Sequence, residues 1–241
     1  MGDRFGWRGK VGLILPSVQT VTEPLFYRIA PQGVAFYTSR VLIRGNVMSD
    51  HADMEREAFR AAKELATAGV DCIAYCCTGS GILLGMEGDR TFCLKMEKET
   101  GIPILSSLSA MIEGLETMGL KKLVLISPYR DEMHHAEENF FRDNGFEIVK
   151  SQSMRIESGS KYGLVPPEEI YRFCHQHWDE RAEGLFISCM NFNAMPCIDP
   201  LERDLGKPVL SSHSATLWKI LKMIHVGEAV PGFGNLLAKG R

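Results

Sequence analysis

Long hydrophobic runs are missing from this sequence of 241 residues. The longest apolar runs, such as Val11–Leu15, have the length of a short β-strand, whereas a membrane-spanning helix needs about 18–20 apolar residues. The N-terminal segment carries Arg4, Arg8 and Lys10, but the apolar run behind them is too short for a secretory signal peptide. We therefore expect a cytoplasmic protein with no membrane partner.

An excess of charge of one sign is also missing. Lys and Arg number 27 and Asp and Glu number 30, so the formal net charge is −3, and no long run of either sign occurs. Non-specific binding to nucleic acid or to a membrane surface has no electrostatic support, and we expect neither partner. Hydrophobic residues make up 45% of the chain and charged residues 24%, a composition that excludes a disordered chain.

The cysteines do not form an even-numbered framework. There are seven of them, which is typical of a reduced cytoplasmic protein rather than of a secreted disulfide scaffold. Because free cysteines are common in cores, we assign four of them to the core: Cys72, Cys93, Cys174 and Cys197. Cys76 and Cys77 are neighbours on a predicted strand, so only one of them should face a cleft. Cys77 and Cys189 are the candidates for chemistry.

What the sequence does contain is a regular alternation of strands and helices. Met54, Ala58, Ala61 and Leu65 recur every three or four residues and predict a helix over 52–67. Other helices are predicted up to residue 100, over 130–144, from 166 and around 217–224. The predicted strands are 10–15, 34–43, 71–75, 103–105, 123–126, 184–187 and 208–210. This alternation predicts mainly parallel sheets in a three-layer α/β fold.

An internal repeat divides the chain into two halves. Residues 10–17 resemble residues 122–129, and the strand ending at Cys77 resembles the one ending at Cys189, both at an offset of 112 residues. Residues 101–110 and 206–215 are identical at seven of ten positions. We predict two similar α/β lobes that face each other across a cleft. The first is formed by residues 1–103 and about 213–241, and the second by residues 104–212.

Polar clusters follow four of the predicted strands. Ligands of parallel α/β sheets collect beyond the carboxyl ends of the strands, and here those positions hold residues 16–20, 77–81, 128–129 and 188–191. Cys77 and Cys189 occupy the same place in the two halves. If the lobes face each other, the two sulfurs converge on one ligand from opposite sides.

Two opposed thiols suit proton transfer at a carbon next to a carboxylate, which requires a base on one face and an acid on the other. A thiol pKa of about 8.5 can be lowered at a helix N-terminus, and a thiolate is a strong nucleophile toward an electron-poor double bond. The enolate-like intermediate needs donors, which the backbone N–H groups of Thr78, Gly79 and Met190 and the hydroxyls of Thr78 and Tyr129 are placed to supply. This chemistry requires neither a metal nor a cofactor.

Other polar motifs give weaker signals. Gly79–Gly81 departs from the glycine spacing of a dinucleotide site, and no G-x-S-x-G elbow supports a Ser-His-Asp hydrolase. The side chains of His134–His135 and of His175–His177 diverge on a helix, so we expect solvated faces rather than metal ligands. His213 lies in a predicted loop at 211–214, where a structural role and a role in the cleft are both open.

At these residues the sequence resembles the aspartate/glutamate racemase superfamily, and within it the maleate cis-trans isomerase and arylmalonate decarboxylase branch. The resemblance spans nearly the whole chain and rests on residues 16–24, 74–81, 127–129, 163–168, 187–189, 206–212 and 230–234. It implies two pseudo-symmetric three-layer α/β/α lobes with the active site in the cleft between them. It also implies cofactor-independent catalysis, with Cys77 at the first-lobe position and Cys189 at the second.

The resemblance implies an isomerase that acts on a small dicarboxylate, with cis-trans isomerisation of maleate or a close analogue as the leading activity. Because the decarboxylases of the branch have Gly at the first position, two cysteines favour isomerase or racemase chemistry. The expected substrate-binding residues are Ser17, Gln19, Thr78, Gly79, Tyr129, Met190 and Asn191. The open alternatives are racemisation of an amino acid or hydantoin-like carbon acid, decarboxylation of an arylmalonate, and ligand binding without catalysis. A homo-oligomer is also open.

Two positions depart from the isomerase pattern. Isomerases of this branch have Asn in the first loop and again shortly before the segment 163–168, where this chain has Gln19 and Gly159. Both asparagines are expected to contact substrate carboxylates. Gly159 removes a donor, so we expect the substrate to carry a different group at that end.

Overall fold

A computed structural model of the protein describes residues 5–44 and 47–239. Within these residues the chain forms eight strands, and all strand pairs are parallel. The strands are β1 (Gly9–Pro16), β2 (Val34–Val41), β3 (Cys72–Tyr75), β4 (Ile104–Ser106), β5 (Lys122–Ser127), β6 (Glu147–Ser153), β7 (Gly184–Ile187) and β8 (Val209–Ser211).

The strands form two four-stranded sheets of identical topology. The first has the order β2-β1-β3-β4 and the second β6-β5-β7-β8. The predicted α/β fold with two similar lobes is therefore confirmed. The central strands β3 and β7 are completely buried, as expected for parallel sheets whose faces are both covered by helices.

Ten helices lie in the described part of the chain, and none of them is both long and apolar enough to span a bilayer. The helices are α1 (Thr22–Ile29), α2 (Val47–Thr67), α3 (Thr78–Thr100), α4 (Ser107–Thr117), α5 (Asp131–Asp143), α6 (Gly159–Tyr162), α7 (Pro167–Gln176), α8 (Met195–Leu205), α9 (Ser212–Met223) and α10 (Asn235–Ala238). In α3, Gly85 adopts a left-handed backbone (φ 67°), and the helix kinks there.

Helices α4 and α9 join the two sheets. They pack against each other, α9 also contacts β3, β4 and β8, and α4 contacts β8. Each helix follows the edge strand of a different sheet, so the pair brings the ends of the two sheets together.

Helix α9 begins inside the predicted loop at 211–214. Ser211 and Ser214 form a capping box, in which the Ser211 hydroxyl accepts the N–H of Ser214 at 3.2 Å and the Ser214 hydroxyl accepts the N–H of Ser211 at 2.9 Å. His213 therefore lies in the first turn of a helix, and the loop prediction is wrong.

The predicted lobe boundaries near residues 103 and 213 stay a prediction. The chain passes from the first sheet to the second between β4 and β5. The last described residues lie against α8, where Asp199 accepts the N–H of Gly234 and Glu202 accepts the N–H of Asn235, both at 2.8 Å.

Candidate active site

A cavity of about 720 Å³ lies beyond the carboxyl ends of the central strands and is lined by residues from both lobes. The cysteines Cys77 and Cys189 both line it. Of the other predicted site residues, six line it: Gln19, Thr78, Gly79, Tyr129, Met190 and Asn191.

Ser17 is the predicted site residue that does not line this cavity. Its hydroxyl accepts the N–H of Ile43 at 3.0 Å, and its own N–H donates to the carbonyl of Val41 at 2.7 Å. These bonds fasten the loop after β1 to the end of β2. A contact between Ser17 and the substrate stays a prediction.

Cys77 stands at the start of the long helix α3. Strand β3 ends at Tyr75, and Cys77 is the N-cap residue of α3, with an extended backbone (φ −134°, ψ 94°). Its neighbour Cys76 is fully buried in the core and does not line the cavity. Of the two adjacent thiols, only that of Cys77 is therefore presented to the cavity.

The environment of Cys77 raises its pKa. Burial raises the pKa to about 11, and the backbone N–H groups of Ser80 and Gly79 lower it only in part. The prediction of a lowered thiol pKa is wrong, because the loss of hydration outweighs hydrogen bonding from the first turn of α3. Burial raises the pKa of the core cysteines Cys72 and Cys197 to a higher value, about 12, so the Cys77 thiol is more acidic than either.

Cys189 follows β7 in a strained backbone conformation. Its φ of 91° lies in the left-handed region that favours glycine. Its N–H donates to the Ser212 hydroxyl at 3.0 Å, and its sulfur accepts the N–H of Asn191 at 3.3 Å. Burial raises the pKa of Cys189 to about 12. The charges of Glu137 and Cys77 act in the same direction, and hydrogen bonds from the Asn191 N–H and the Tyr129 hydroxyl lower the pKa in part.

The side chain of Gln19 is bound by the protein at both polar atoms. Its Nε2 donates to the carbonyl of Cys76 at 2.5 Å, and its Oε1 accepts the hydroxyl of Thr22 at 2.7 Å. The Thr22 hydroxyl also lies 2.6 Å from the carbonyl of Met190 and 3.2 Å from Nε2 of His213. Gln19 thus braces the cavity wall, and a substrate contact by its amide stays a prediction.

The side chain of Asn191 ties the two lobes together. Its Oδ1 accepts the N–H of Thr20 at 2.8 Å, and its Nδ2 donates to the carbonyls of Gly159 at 2.7 Å and Val18 at 3.3 Å. Both amide N–H groups are therefore occupied by the protein. The same Gly159 that departs from the isomerase pattern supplies one of the acceptors.

Two tyrosines form one wall beside Cys189. The rings of Tyr129 and Tyr162 meet edge to face at 5.8 Å, and both residues line the cavity. The pKa of Tyr162 is raised by burial and then by the charge of Cys189. Tyr162 is a site residue that was not predicted from the sequence, although it directly precedes the segment 163–168 that contributes to the family resemblance.

Charged side chains surround the mouth of the cavity. Asp131 pairs with Arg155 at 2.6 Å, and Glu157 pairs with Lys161 at 2.5 Å. Arg44, Arg130 and Glu132 also line the cavity. The mouth therefore carries charges of both signs, and Arg130 is one of its positive groups.

The described histidines differ in their burial. In the part of the chain that the structure describes, no group of three or more metal-ligating side chains is placed to hold an ion. His134 is buried between the hydroxyls of Ser127 at 2.8 Å and Ser151 at 2.7 Å, so the predicted solvated face is wrong for it, while His135 is exposed. His213 is fully buried, which lowers its pKa to about 4.

Comparison with known proteins agrees with this architecture. A maleate isomerase of Geobacillus stearothermophilus is 28% identical over 95% of this chain and 97% of its own length. The structure of a maleate isomerase from Pseudomonas putida S16 with maleate has a TM-score of 0.89 at 23% identity, covering 95% of this chain and 97% of that one.

A Nocardia farcinica maleate cis-trans isomerase has the same TM-score of 0.89 and 23% identity, covering 97% of this chain and 99% of that chain. It is a cysteine-to-serine mutant with a covalently bound succinylcysteine intermediate. A family model described as arylmalonate decarboxylase matches residues 11–237. Because that match spans almost the whole chain, the protein belongs to the arylmalonate decarboxylase family.

Proposed function

We propose that this chain is a cysteine-dependent isomerase that converts a small cis-enedioate, with maleate as the leading substrate, into its trans isomer. The observation that carries the proposal is a single cavity lined by one cysteine from each half of the repeat, Cys77 and Cys189. The full-length similarity to maleate isomerases supports the substrate class.

The first step is covalent addition by Cys77. Its thiol first gives up a proton to solvent, which is taken up again when the cycle ends. The thiolate then adds to one carbon of the double bond, and the electron pair of that bond moves to the neighbouring carbon, next to a carboxylate. The N–H groups of Ser80 and Gly79 stabilise the thiolate before attack, which makes Cys77 the better nucleophile of the two.

The second step is protonation by Cys189. Its pKa of about 12 keeps it a thiol at neutral pH, so it can give a proton to the carbon that received the electron pair. The product is a succinyl thioether on Cys77, the same type of adduct as in the N. farcinica enzyme. The central bond is now single and rotates.

The last step reverses the chemistry after rotation. The Cys189 thiolate takes the proton back, the double bond re-forms, and the carbon–sulfur bond to Cys77 breaks. Both thiol groups return to their starting forms, and the reaction consumes neither oxidant nor cofactor.

The substrate carboxylates need donors where charge develops. The N–H of Thr78 and, once the Cys77 sulfur is bound to carbon, the N–H of Gly79 serve one carboxylate at the positive end of α3. The N–H of Met190 and the hydroxyl of Tyr129 serve the other end, and Arg130 at the mouth attracts the dianion.

Decarboxylation of an arylmalonate is the second candidate, because the matching family model carries that description. Such a reaction needs one proton donor at the carbon that loses carbon dioxide. Cys189 can fill this role, but the mechanism leaves Cys77 without one. Two cavity cysteines therefore favour isomerisation.

We also infer that the protein works in a reducing compartment such as the cytoplasm, since all seven cysteines are free and buried. A homo-oligomer, and the expectation of no nucleic-acid or membrane partner, stay predictions.

Proton NMR of the protein incubated with maleate tests the proposal, and we expect fumarate to appear. Cys77→Ser and Cys189→Ser should each lower kcat by about a thousandfold or more, since each removes a reacting group. Cys93→Ala, which changes a buried cysteine outside the cavity, should keep the wild-type rate. Near-normal turnover in either serine variant would refute the mechanism, and release of carbon dioxide from phenylmalonate without fumarate formation would favour the decarboxylase.

A further inference from the structure

A buried acid that these steps do not use lies directly behind Cys189. Glu137 on α5 is fully buried, and its Oε1 shares a hydrogen bond with the hydroxyl of Ser188, the residue before Cys189. Its Oε2 has no hydrogen-bond partner among the described residues. A buried carboxylate with so few partners is unfavourable, and burial raises the pKa of Glu137 to about 8, so the group is protonated at neutral pH.

The hydroxyl of Tyr129 extends this contact toward the thiol. It is buried at the cavity beside the Ser188 hydroxyl and the Cys189 thiol, although neither contact has regular hydrogen-bond geometry within the described residues. Burial and the charges of Cys189 and Glu137 raise the pKa of Tyr129, and the contact with Ser188 lowers it in part. A buried row of polar side chains therefore leads to the thiol, and we call it the Glu137 relay. It consists of Glu137, Ser188, Tyr129 and Cys189.

We propose that Glu137 is a positioning residue that stores a proton for Cys189 and exchanges it through the hydroxyls of Ser188 and Tyr129. The inference rests on the proposed function, in which Cys189 gives a proton to the substrate carbon. The Glu137 proton then moves to Ser188, the Ser188 proton to Tyr129, and the Tyr129 proton to the Cys189 sulfur. The thiol re-forms, a carboxylate remains at Glu137, and the reverse sequence restores the Cys189 thiolate before elimination.

This exchange places the negative charge on the stronger acid while the substrate bond rotates. The pKa of Glu137, about 8, lies below that of Cys189, about 12, so the charge is more stable on the carboxyl. A thiolate left next to the adduct would remove the proton before rotation was complete.

The groups around Glu137 determine in which direction its charge shifts the pKa of Cys189. The titratable groups that face it from the strand ends are Tyr129 and Cys189, and its negative charge raises the pKa of both. On its own helix, His134 bonds to hydroxyls of β5 and β6, and Glu138 pairs with Arg142. Ionisation of Glu137 above about pH 8 therefore makes the Cys189 thiolate harder to form.

The first test uses no substrate and so does not depend on the proposed function. Iodoacetamide labelling of each cysteine is followed by peptide mass spectrometry in the wild type and in Glu137→Gln. At about pH 9, above the wild-type Glu137 pKa, we expect Cys189 to label several-fold faster in the variant, because Gln carries no charge. Cys77 should label at the same rate in both proteins. Equal labelling of Cys189 in the two proteins would overturn the proposal.

The second test measures turnover of maleate against pH. Wild-type kcat should decline above about pH 8 as Glu137 ionises, and Glu137→Gln should lower kcat about tenfold, leave KM nearly unchanged and abolish that decline. Asp89→Asn is the matched control, since Asp89 is a buried acid that bonds to Ser106 outside the cavity; it should keep kcat and the wild-type profile. A Glu137→Gln protein with the wild-type profile would overturn the relay.

Two further outcomes are also decisive. If Glu137→Gln does not fold, Ser188→Ala breaks the relay in its middle with a smaller change, and it should abolish the same alkaline decline. Its retention of the wild-type profile would overturn the proposal. If the wild type does not convert maleate but Cys189 labels faster in Glu137→Gln and not in Asp89→Asn, the coupling of Glu137 to Cys189 stands and the proposed substrate fails.

Discussion

The two cavity cysteines occupy equivalent places in the repeat but have different local structures. Cys77 caps a helix of 23 residues and has an extended backbone. Cys189 has a left-handed backbone (φ 91°) and is followed by a loop before α8 begins at Met195. The duplicated fold therefore delivers two sulfurs to one cavity without giving them the same surroundings.

This difference separates the two chemical roles. Cys77 receives N–H groups from the start of α3, which favour its thiolate. Burial and the charge of Glu137 raise the pKa of Cys189 and favour its thiol, although the Tyr129 hydroxyl beside it lowers that pKa in part. One nucleophile and one proton donor suit addition and elimination at a double bond, whereas two-way racemisation would be served by two thiols of equal pKa.

Loss of the hydrogen bonds that Asn191 makes between the two lobes should have the largest effect on stability. Asn191→Ala removes hydrogen bonds to Thr20, Gly159 and Val18, so we expect the free energy of unfolding to fall by about 2–3 kcal/mol. Chemical denaturation measures this value. Labelling of Cys189, whose sulfur accepts the N–H of Asn191, should rise more than labelling of Cys77.

Gln19→Ala is the matched change in the first half. It removes bonds to Cys76 and Thr22 within that half, so labelling of Cys77 should rise instead. A rise at both cysteines in both variants would show that the two halves of the site are not supported separately.

The pKa values of the two thiols predict a smaller difference in reactivity. The lower pKa of Cys77, about 11 against about 12 for Cys189, implies faster alkylation at Cys77 at a given pH, by a few-fold because the more acidic thiolate is also the weaker nucleophile, provided access is equal. Both rates should rise with pH, because only the thiolate reacts, and the Cys77 rate should level off first. Time-resolved peptide mapping checks this order, and faster labelling of Cys189 would contradict it.

Backbone strain should give the smallest effect. Glycine accepts the φ of 91° at position 189, so Cys189→Gly should be more stable than Cys77→Gly by about 1 kcal/mol. Both substitutions remove a thiol from the same cavity, so differences in thermal unfolding report mainly the backbone. Equal stability of the two variants would show that the left-handed residue is not strained.

The duplicated architecture and the cysteine pair could be predicted because the internal sequence repeat includes the strands and both cysteines. Matching positions at an offset of 112 residues placed Cys77 and Cys189 at corresponding strand ends. Elements without a strong periodic pattern were not predictable. Strand β6 is half-exposed and polar, α1 has only eight residues, and α8 contains Pro196 and Pro200.

The electrostatics of the site could not be predicted from local sequence. A helix N-terminus suggests a low thiol pKa, but the final value depends on how completely Cys77 is buried. The engaged amides of Gln19 and Asn191, and the position of Glu137 behind Cys189, depend on contacts between segments far apart in the chain.

The most direct measurement is peptide mapping of the Cys189→Ser variant after incubation with maleate. We expect a succinyl adduct to accumulate on Cys77, because water can still protonate the carbon after addition, whereas without the Cys189 sulfur no base takes that proton back for elimination. An adduct on another cysteine, or undiminished fumarate formation with no adduct at all, would contradict it.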